Sequence, residues 1–270
     1  MTNKKDIRQD IRRDQSFDGI ADKFNKNIYG TPKGKLRHAI LSHVLAPHFA
    51  HKTPLKVLDL GGGTGVMAQT FIEWGHKVDI VDISSDVLEL AKASMNSAID
   101  TGMVRFFCSP IQTFNSEEKY DLVICHAVLE WLAEPLKCMA SLVRFLKPEG
   151  TLSLSFFNRD AKLFSNVVYG NFEYVENGLQ VKNQVRLNPQ SPLTLDEVSQ
   201  SLSGIGFHCI QTSGIRCFYD YMKRPLVSEQ EYQYLLALEK QYCQQAPFSL
   251  FGRYLHVLAK QPDEHHQAAP

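Results

Sequence analysis

The sequence predicts an α/β protein built on one doubly wound, mostly parallel sheet of seven strands, with helices on both faces. Three observations predict it. Strand-like apolar runs alternate with helix-like stretches through residue 157, the pattern of right-handed βαβ crossovers. The first strand breaks into four glycines within five residues, Gly61-Gly62-Gly63-Thr64-Gly65, a turn whose backbone can approach a ligand closely. Two further strand-like runs then follow near the end of the chain.

Taken in order, residues 1–15 are polar and carry five Lys/Arg against three Asp. They read as a disordered or loosely helical tail. A helix next places Phe17, Ile20, Ala21 and Phe24 on one face. Tyr29-Gly30-Thr31-Pro32 turns the chain, and Lys33 to Leu45 forms a second helix. Strands are expected at 55–60, 77–82, 103–107, 120–126 and 150–157, with helices at 65–74, 85–98 and 135–146. Residues 158–193 are aromatic and polar with weak periodicity, and read as a substrate loop region. Thr194 and Glu197 form a capping box that opens a helix to about Leu202. Ser228 and Glu231 form a second, opening a helix to about Gln244. Strands are expected at Phe207–Tyr219 and Arg253–Ala259. The whole reads as a single domain over 16–260, with a disordered tail at 261–270.

At 270 residues, with 44% apolar and 21% charged residues, the composition is that of a globular protein. The formal net charge is zero, so the overall field gives no nucleic-acid signal. Six cysteines show no CxxC pair and no metal spacing. Cys108, Cys125, Cys209 and Cys217 fall in strand-like runs and read as buried free thiols. No signal peptide and no apolar run of 18 residues is present. The expectation is a cytoplasmic protein with no metal and no membrane span.

Asp82 closes the second apolar run, twenty residues after Gly62. A glycine turn after one strand and a carboxylate at the tip of the next describe a nucleoside pocket, with the acid on the ribose hydroxyls. The dinucleotide fingerprint fails because its last position is Val66, and no lysine follows Gly65 to make a Walker loop. Asp59, two residues before the first glycine, would repel a pyrophosphate but suits a ligand carrying an ammonium and a sulfonium. The run Val57-Leu58-Asp59-Leu60-Gly61-Gly62-Gly63-Thr64-Gly65 resembles motif I of the class I S-adenosylmethionine (AdoMet) methyltransferases. In that fold Ile111 and Gln112, after the third strand, would flank adenine. His126, at the end of the fourth, would lie beside the transferring methyl group. On the residues alone Arg37 reads either as a surface arginine or as a partner for the cofactor carboxylate.

Several longer runs carry a closer likeness: Phe17–Arg37, LDLGGGTG, CHAVLEW, LSLSFFN, and those at 169–175, 214–221 and 252–257. Together they resemble the tRNA 5-carboxymethoxyuridine methyltransferase (CmoM) family over about residues 16–260. The resemblance implies a Rossmann-like fold with an antiparallel closing hairpin and an N-terminal helical lid over 16–50. It also implies methyl transfer from AdoMet to a wobble-uridine carboxylate in the tRNA anticodon arm. Cofactor contacts would then fall on Arg37, Gly61, Gly62, Asp82, Ile111, Gln112 and His126. A carboxylate of pKa near 4 is already ionised at neutral pH, so no general base is needed. Tyr29, Arg216, Arg253 and Tyr254 are candidates to recognise it. Trp131, Phe156, Tyr169, Phe172 and Tyr174 are candidate stacking platforms for a splayed base. The loop at 181–186 departs from the family in carrying one lysine and one arginine where relatives are lysine-rich. That departure and the zero net charge leave open, as the alternative, an AdoMet-dependent methyltransferase of a small carboxylic acid or other metabolite.

Overall fold

The computed structural model describes residues 14, 19, 30–180 and 189–262. The expected helix over Phe17–Phe24, Tyr29, the 181–186 loop and most of both expected tails lie outside the described residues.

Helix α1 (Pro32–Phe49) starts where Thr31 accepts the Gly34 amide on its hydroxyl and Pro32 supplies the first helical residue. It runs through Pro47, past the expected end at Leu45, and buries Phe49. The chain then alternates as predicted: β1 (Lys56–Leu60), α2 (Val66–Glu73), β2 (Lys77–Asp82), α3 (Ser85–Ser94), α4 (Asn96–Asp100), β3 (Val104–Cys108), β4 (Tyr120–His126), α5 (Pro135–Leu142) and β5 (Leu146–Phe157). The single helix expected at 85–98 is two, broken at Met95, whose side chain is buried in the core. The helix expected to reach 146 stops at Leu142. Leu146 already pairs with Tyr120 in the sheet.

The region read as a loop contains α6 (Arg159–Val168) and α7 (Phe172–Glu176). After these come α8 (Leu195–Gly204), β6 (His208–Ile215), α9 (Glu229–Tyr242) and β7 (Tyr254–Lys260). The Thr194–Glu197 capping box is complete. At Ser228 only half of the expected box forms. The hydroxyl accepts the Glu231 amide, while the Glu231 carboxylate pairs with Arg224 and accepts from Val227.

β6 ends short of the expected Tyr219 for a physical reason. Arg216 adopts a φ of 61°, and the amides of Cys217, Phe218 and Tyr219 all donate to the buried carboxylate of Glu239 on α9. That carboxylate turns the chain out of the sheet.

The seven strands lie in the order β3-β2-β1-β4-β5-β7-β6. β7 runs antiparallel to both of its neighbours, and the remaining pairs are parallel. Strand residues divide by the period of two between two cores. Val57, Leu122 and Ile124 face one, with α1, α2 and α9. Leu58, Leu60, Val123 and Cys125 face the other, with α5 and α8. A sheet buried on both faces leaves its carboxyl edge as the place where polar groups converge. All six cysteines are free; Cys125, Cys138, Cys217 and Cys243 are buried. Cys108, expected to be buried, is exposed because it ends the edge strand, and Cys209 is half-buried. No helix among the described residues is long and apolar enough to cross a membrane.

Candidate functional site

The site is assembled from the carboxyl ends of β1, β2 and β4. After β1 the chain folds over the tip of β2, with the Gly61 and Gly62 amides donating to the Val81 carbonyl at 2.7 and 3.2 Å. Gly61 has a φ of 72°, and a Cβ on it would lie 2.4 Å from Val128 Cγ2. Glycine is therefore needed at this position both for conformation and for space. The Gly63 amide donates to Asp82 Oδ2 at 3.0 Å, and the Ser84 amide to Oδ1 at 2.9 Å. Two amides thus fix the plane of the Asp82 carboxylate at the tip of β2.

Asp59 is buried behind this turn, and its Oδ2 has no hydrogen-bond partner. Burial, aided by the charge of Asp82, pushes its carboxyl up to about 7.

His126 ends β4 and is neutral. Burial, then His256 and Arg37, hold its pKa well below the usual range. Its Nε2 lies 2.8 Å from Ser153 Oγ, which lies 2.9 Å from His256 Nε2. Ser153 has one proton to give, so it donates to one ring and accepts from the other, and the two rings are opposite tautomers. Burial and His48 also depress His256, to about 3. Ala127 follows in the left-handed region with a φ of 56°, its amide held by Ser155. That bend sends the chain into a short 3-10 turn, Leu129–Trp131. There Glu130 is fully buried, and neither carboxyl oxygen has a hydrogen-bond partner. Burial pushes its carboxyl up to about 7; the nearby Glu130 and Phe157 amides, which face it without hydrogen-bond geometry, and the charge of Arg37 pull the other way.

A cleft enclosing about 880 Å³, including its mouth, joins these groups. Arg37 from α1, Gly61, Asp82, Ile111, Gln112, His126 and Tyr254 all line it. Gly62 does not. A Cβ on it would point back at Ile80 and Asp59, so only its backbone serves the turn. Arg216 and Arg253 do not line the cleft either. Arg216 is buried in an ion pair with Asp220 at 2.8 Å, and Arg253 opens into a second cavity. Both Arg37 and Arg216 lie against the Tyr254 ring, 5.8 and 5.5 Å from its centroid.

Two acidic wall residues are not legible in the sequence. Glu130 lies within the CHAVLEW run but carried no spacing signal. Asp14 falls in the stretch that reads as a loose tail. Here it accepts from Gln112 Nε2 at 2.6 Å and the Ala133 amide at 2.8 Å, so two donors at the cleft hold it. Of the proposed stacking residues, Phe156 is core. Trp131 lines this cleft with its indole N–H on the Ala127 carbonyl. Tyr169 and Phe172 are exposed, and Tyr174 is half-buried. Among the described residues no group of three or more His, Cys, Asp or Glu side chains could hold a metal ion.

Residues 58–154 match the model of a methyltransferase domain family. The chain is 39% identical over 254 residues to the tRNA 5-carboxymethoxyuridine methyltransferase of Escherichia coli K12, covering 93% of this chain and 97% of that one. It is 34% identical over 122 residues to the ubiquinone biosynthesis O-methyltransferase of Haemophilus ducreyi, covering 43% and 50%. Among solved structures it shares its fold with magnesium protoporphyrin IX methyltransferase from Synechocystis PCC 6803 bound to SAH. The TM-score is 0.62 at 15% identity, over 91% of this chain and 96% of that one. The plantazolicin methyltransferase BpumL in complex with SAH gives a TM-score of 0.55 at 21% identity, over 91% of each chain.

Proposed function

The chain belongs to the tRNA 5-carboxymethoxyuridine methyltransferase family, and on that premise we propose that it methylates the carboxylate of 5-carboxymethoxyuridine at the tRNA wobble position, giving a methyl ester. It is an AdoMet-dependent methyltransferase. The observation that carries the reading is the convergence of Arg37, Gly61, Asp82, Ile111, Gln112 and His126 on one cleft at the carboxyl edge of the sheet.

The donor set fits a ligand with a ribose, an adenine and an amino-acid end. Asp82, at the tip of β2 with its carboxylate plane fixed by two backbone amides, accepts from the ribose hydroxyls. Gln112 gives its N–H to Asp14, which leaves Oε1 to accept from the adenine amine, while buried Ile111 packs on the ring. Arg37 holds the α-carboxylate. Glu130, buried and without a partner on either oxygen, accepts from the α-ammonium. Asp59 stays behind the turn, where its position disfavours an anionic ligand.

When bound, AdoMet supplies a methyl group made electrophilic by its sulfonium. His126, held neutral, adds no positive charge beside that sulfonium. The acceptor carboxylate has a pKa of roughly 4, so it arrives ionised and the protein need not take a proton. What the chain contributes is alignment and exclusion of water. Tyr254, on the cleft wall between two guanidinium groups, is the residue we assign to the substrate carboxylate.

Supplying labelled AdoMet with both a pool of small carboxylic acids and tRNA from cells lacking this enzyme tests the reading. Label is expected in the tRNA. Label in the acids and none in the tRNA would transfer the assignment to a small-molecule enzyme.

A further inference from the structure

Helix α6 is amphipathic in the unexpected direction. Leu163, Phe164, Val167 and Val168 are exposed, while Ala161, Lys162 and Ser165 face inward. Lys162 is only 8% exposed. The start of the helix forces this orientation. Asn158 caps it through the Asp160 amide and donates its own amide hydrogens to the carbonyls of Leu250 and Gly252, at 2.9 and 3.0 Å. The Asn158 backbone N–H donates to the Arg253 carbonyl. The helix is thereby clamped beside the first residues of β7, and Lys162 is brought next to Arg253.

These two cations share the second cavity, about 1050 Å³ including its mouth, with Asn166, Asn171, Phe172 and Tyr174. The Lys162 ammonium lies 5.7 Å from the centroid of the Tyr174 ring. The Arg253 guanidinium lies 4.7 Å from the centroid of Phe157 and donates to Ser165 Oγ at 3.0 Å. Neither takes part in any ion pair among the described residues. Glu173 also lines the cavity but is exposed and beyond ion-pair distance of both. A buried cation without a counter-charge is costly, and an anion entering from outside offsets that cost.

The other groups narrow the anion. Asn166 is spent on the Lys162 carbonyl and on Asn171, which leaves the Asn171 carbonyl oxygen as an acceptor. Phe172, 62% exposed at the rim, offers a flat apolar face. Two cations, an acceptor and an aromatic face match a nucleotide: its phosphate, its base edge and its base plane.

We propose that this cavity is a binding site for a phosphate-bearing nucleotide of the RNA substrate, with Lys162 and Arg253 on the phosphate and Phe172 under the base. The site rests on the tRNA reading above. It supplies cationic contacts where the 181–186 loop has few.

The test is binding of an unmodified tRNA transcript, and of tRNA carrying the carboxymethoxy group, over a range of salt concentrations. For Lys162→Met both RNAs should bind about five- to tenfold more weakly, with the salt slope reduced by about 0.7–0.9. Phe172→Ala, at an exposed position that leaves the core intact, should weaken both by about fivefold or more. AdoMet affinity should be unchanged in each variant, which separates a lost RNA contact from a lost fold. RNA binding by both variants at the wild-type level would overturn the site. A loss confined to the carboxymethoxy tRNA would also overturn it, because the cavity would then be reading the substrate carboxylate. Failure of the wild-type chain to bind either RNA would instead strike the tRNA reading itself.

Discussion

Replacing Glu130 by glutamine separates two consequences of one buried carboxyl group. Burial pushes this carboxyl from its ordinary 4.5 up to about 7. A folded-state pKa above the unfolded value means that the folded protein binds the extra proton. The stabilisation is therefore fully present below pH 4.5 and is lost as pH rises through 7. At about 1.4 kcal/mol per unit, the rise from 4.5 to 7 amounts to roughly 3 kcal/mol of stability lost by the cofactor-free protein. Glutamine cannot titrate. Whatever fixed penalty its amide brings, the stability of Glu130→Gln relative to wild type should increase by about 3 kcal/mol between pH 4.5 and pH 8. Denaturant unfolding at several pH values, without ligand, measures it. Binding should move the other way. Loss of a charge-assisted contact to the α-ammonium should weaken AdoMet by about 10- to 100-fold. The affinity for methylthioadenosine, which lacks the amino-acid end, should stay the same. Calorimetry on both ligands decides. Equal weakening of both, or of neither, would refute the assignment of Glu130 to the ammonium.

Other substitutions test the rest of the site. Asp82→Asn should lower affinity for AdoMet and methylthioadenosine alike, by about tenfold or more, because both carry the ribose. Gly61→Ala should destabilise the protein by about 1–3 kcal/mol, since its φ is 72° and its new Cβ meets Val128. Adding Val128→Ala should recover only the steric part, as read from thermal unfolding. Glu239→Ala removes the acceptor shared by the amides of Cys217, Phe218 and Tyr219. It should cost about 3 kcal/mol in denaturant unfolding while leaving methylthioadenosine binding unchanged.

The first half of the fold was legible because its strands end in punctuation. Glycines follow β1 and an acid closes β2, so apolar run, turn and ligand-facing tip all coincide in the sequence. The helix reads as running to 146 because the stretch joining α5 to β5 has no breaker between Leu142 and Leu146. Helix α6 was missed for a different reason. Its apolar residues face solvent and its buried face is Ala161, Lys162 and Ser165, so periodicity gave no inward stripe. Within the cleft, residues with a position-specific chemistry were visible in the sequence. Glu130 was not, because its burial depends on Ala127 taking a left-handed conformation that no local pattern announces. Arg216 reads as available for a substrate contact, but Asp220, four residues on, already holds it.

The most direct test of the account is nucleoside analysis of carboxymethoxy-bearing tRNA after incubation with the protein and methyl-labelled AdoMet. The account predicts label on the wobble uridine, in a linkage that mild alkali removes, as expected of an ester. Alkali-stable label on a ring atom or ribose, or no label in that nucleoside from protein shown to bind AdoMet, would contradict it.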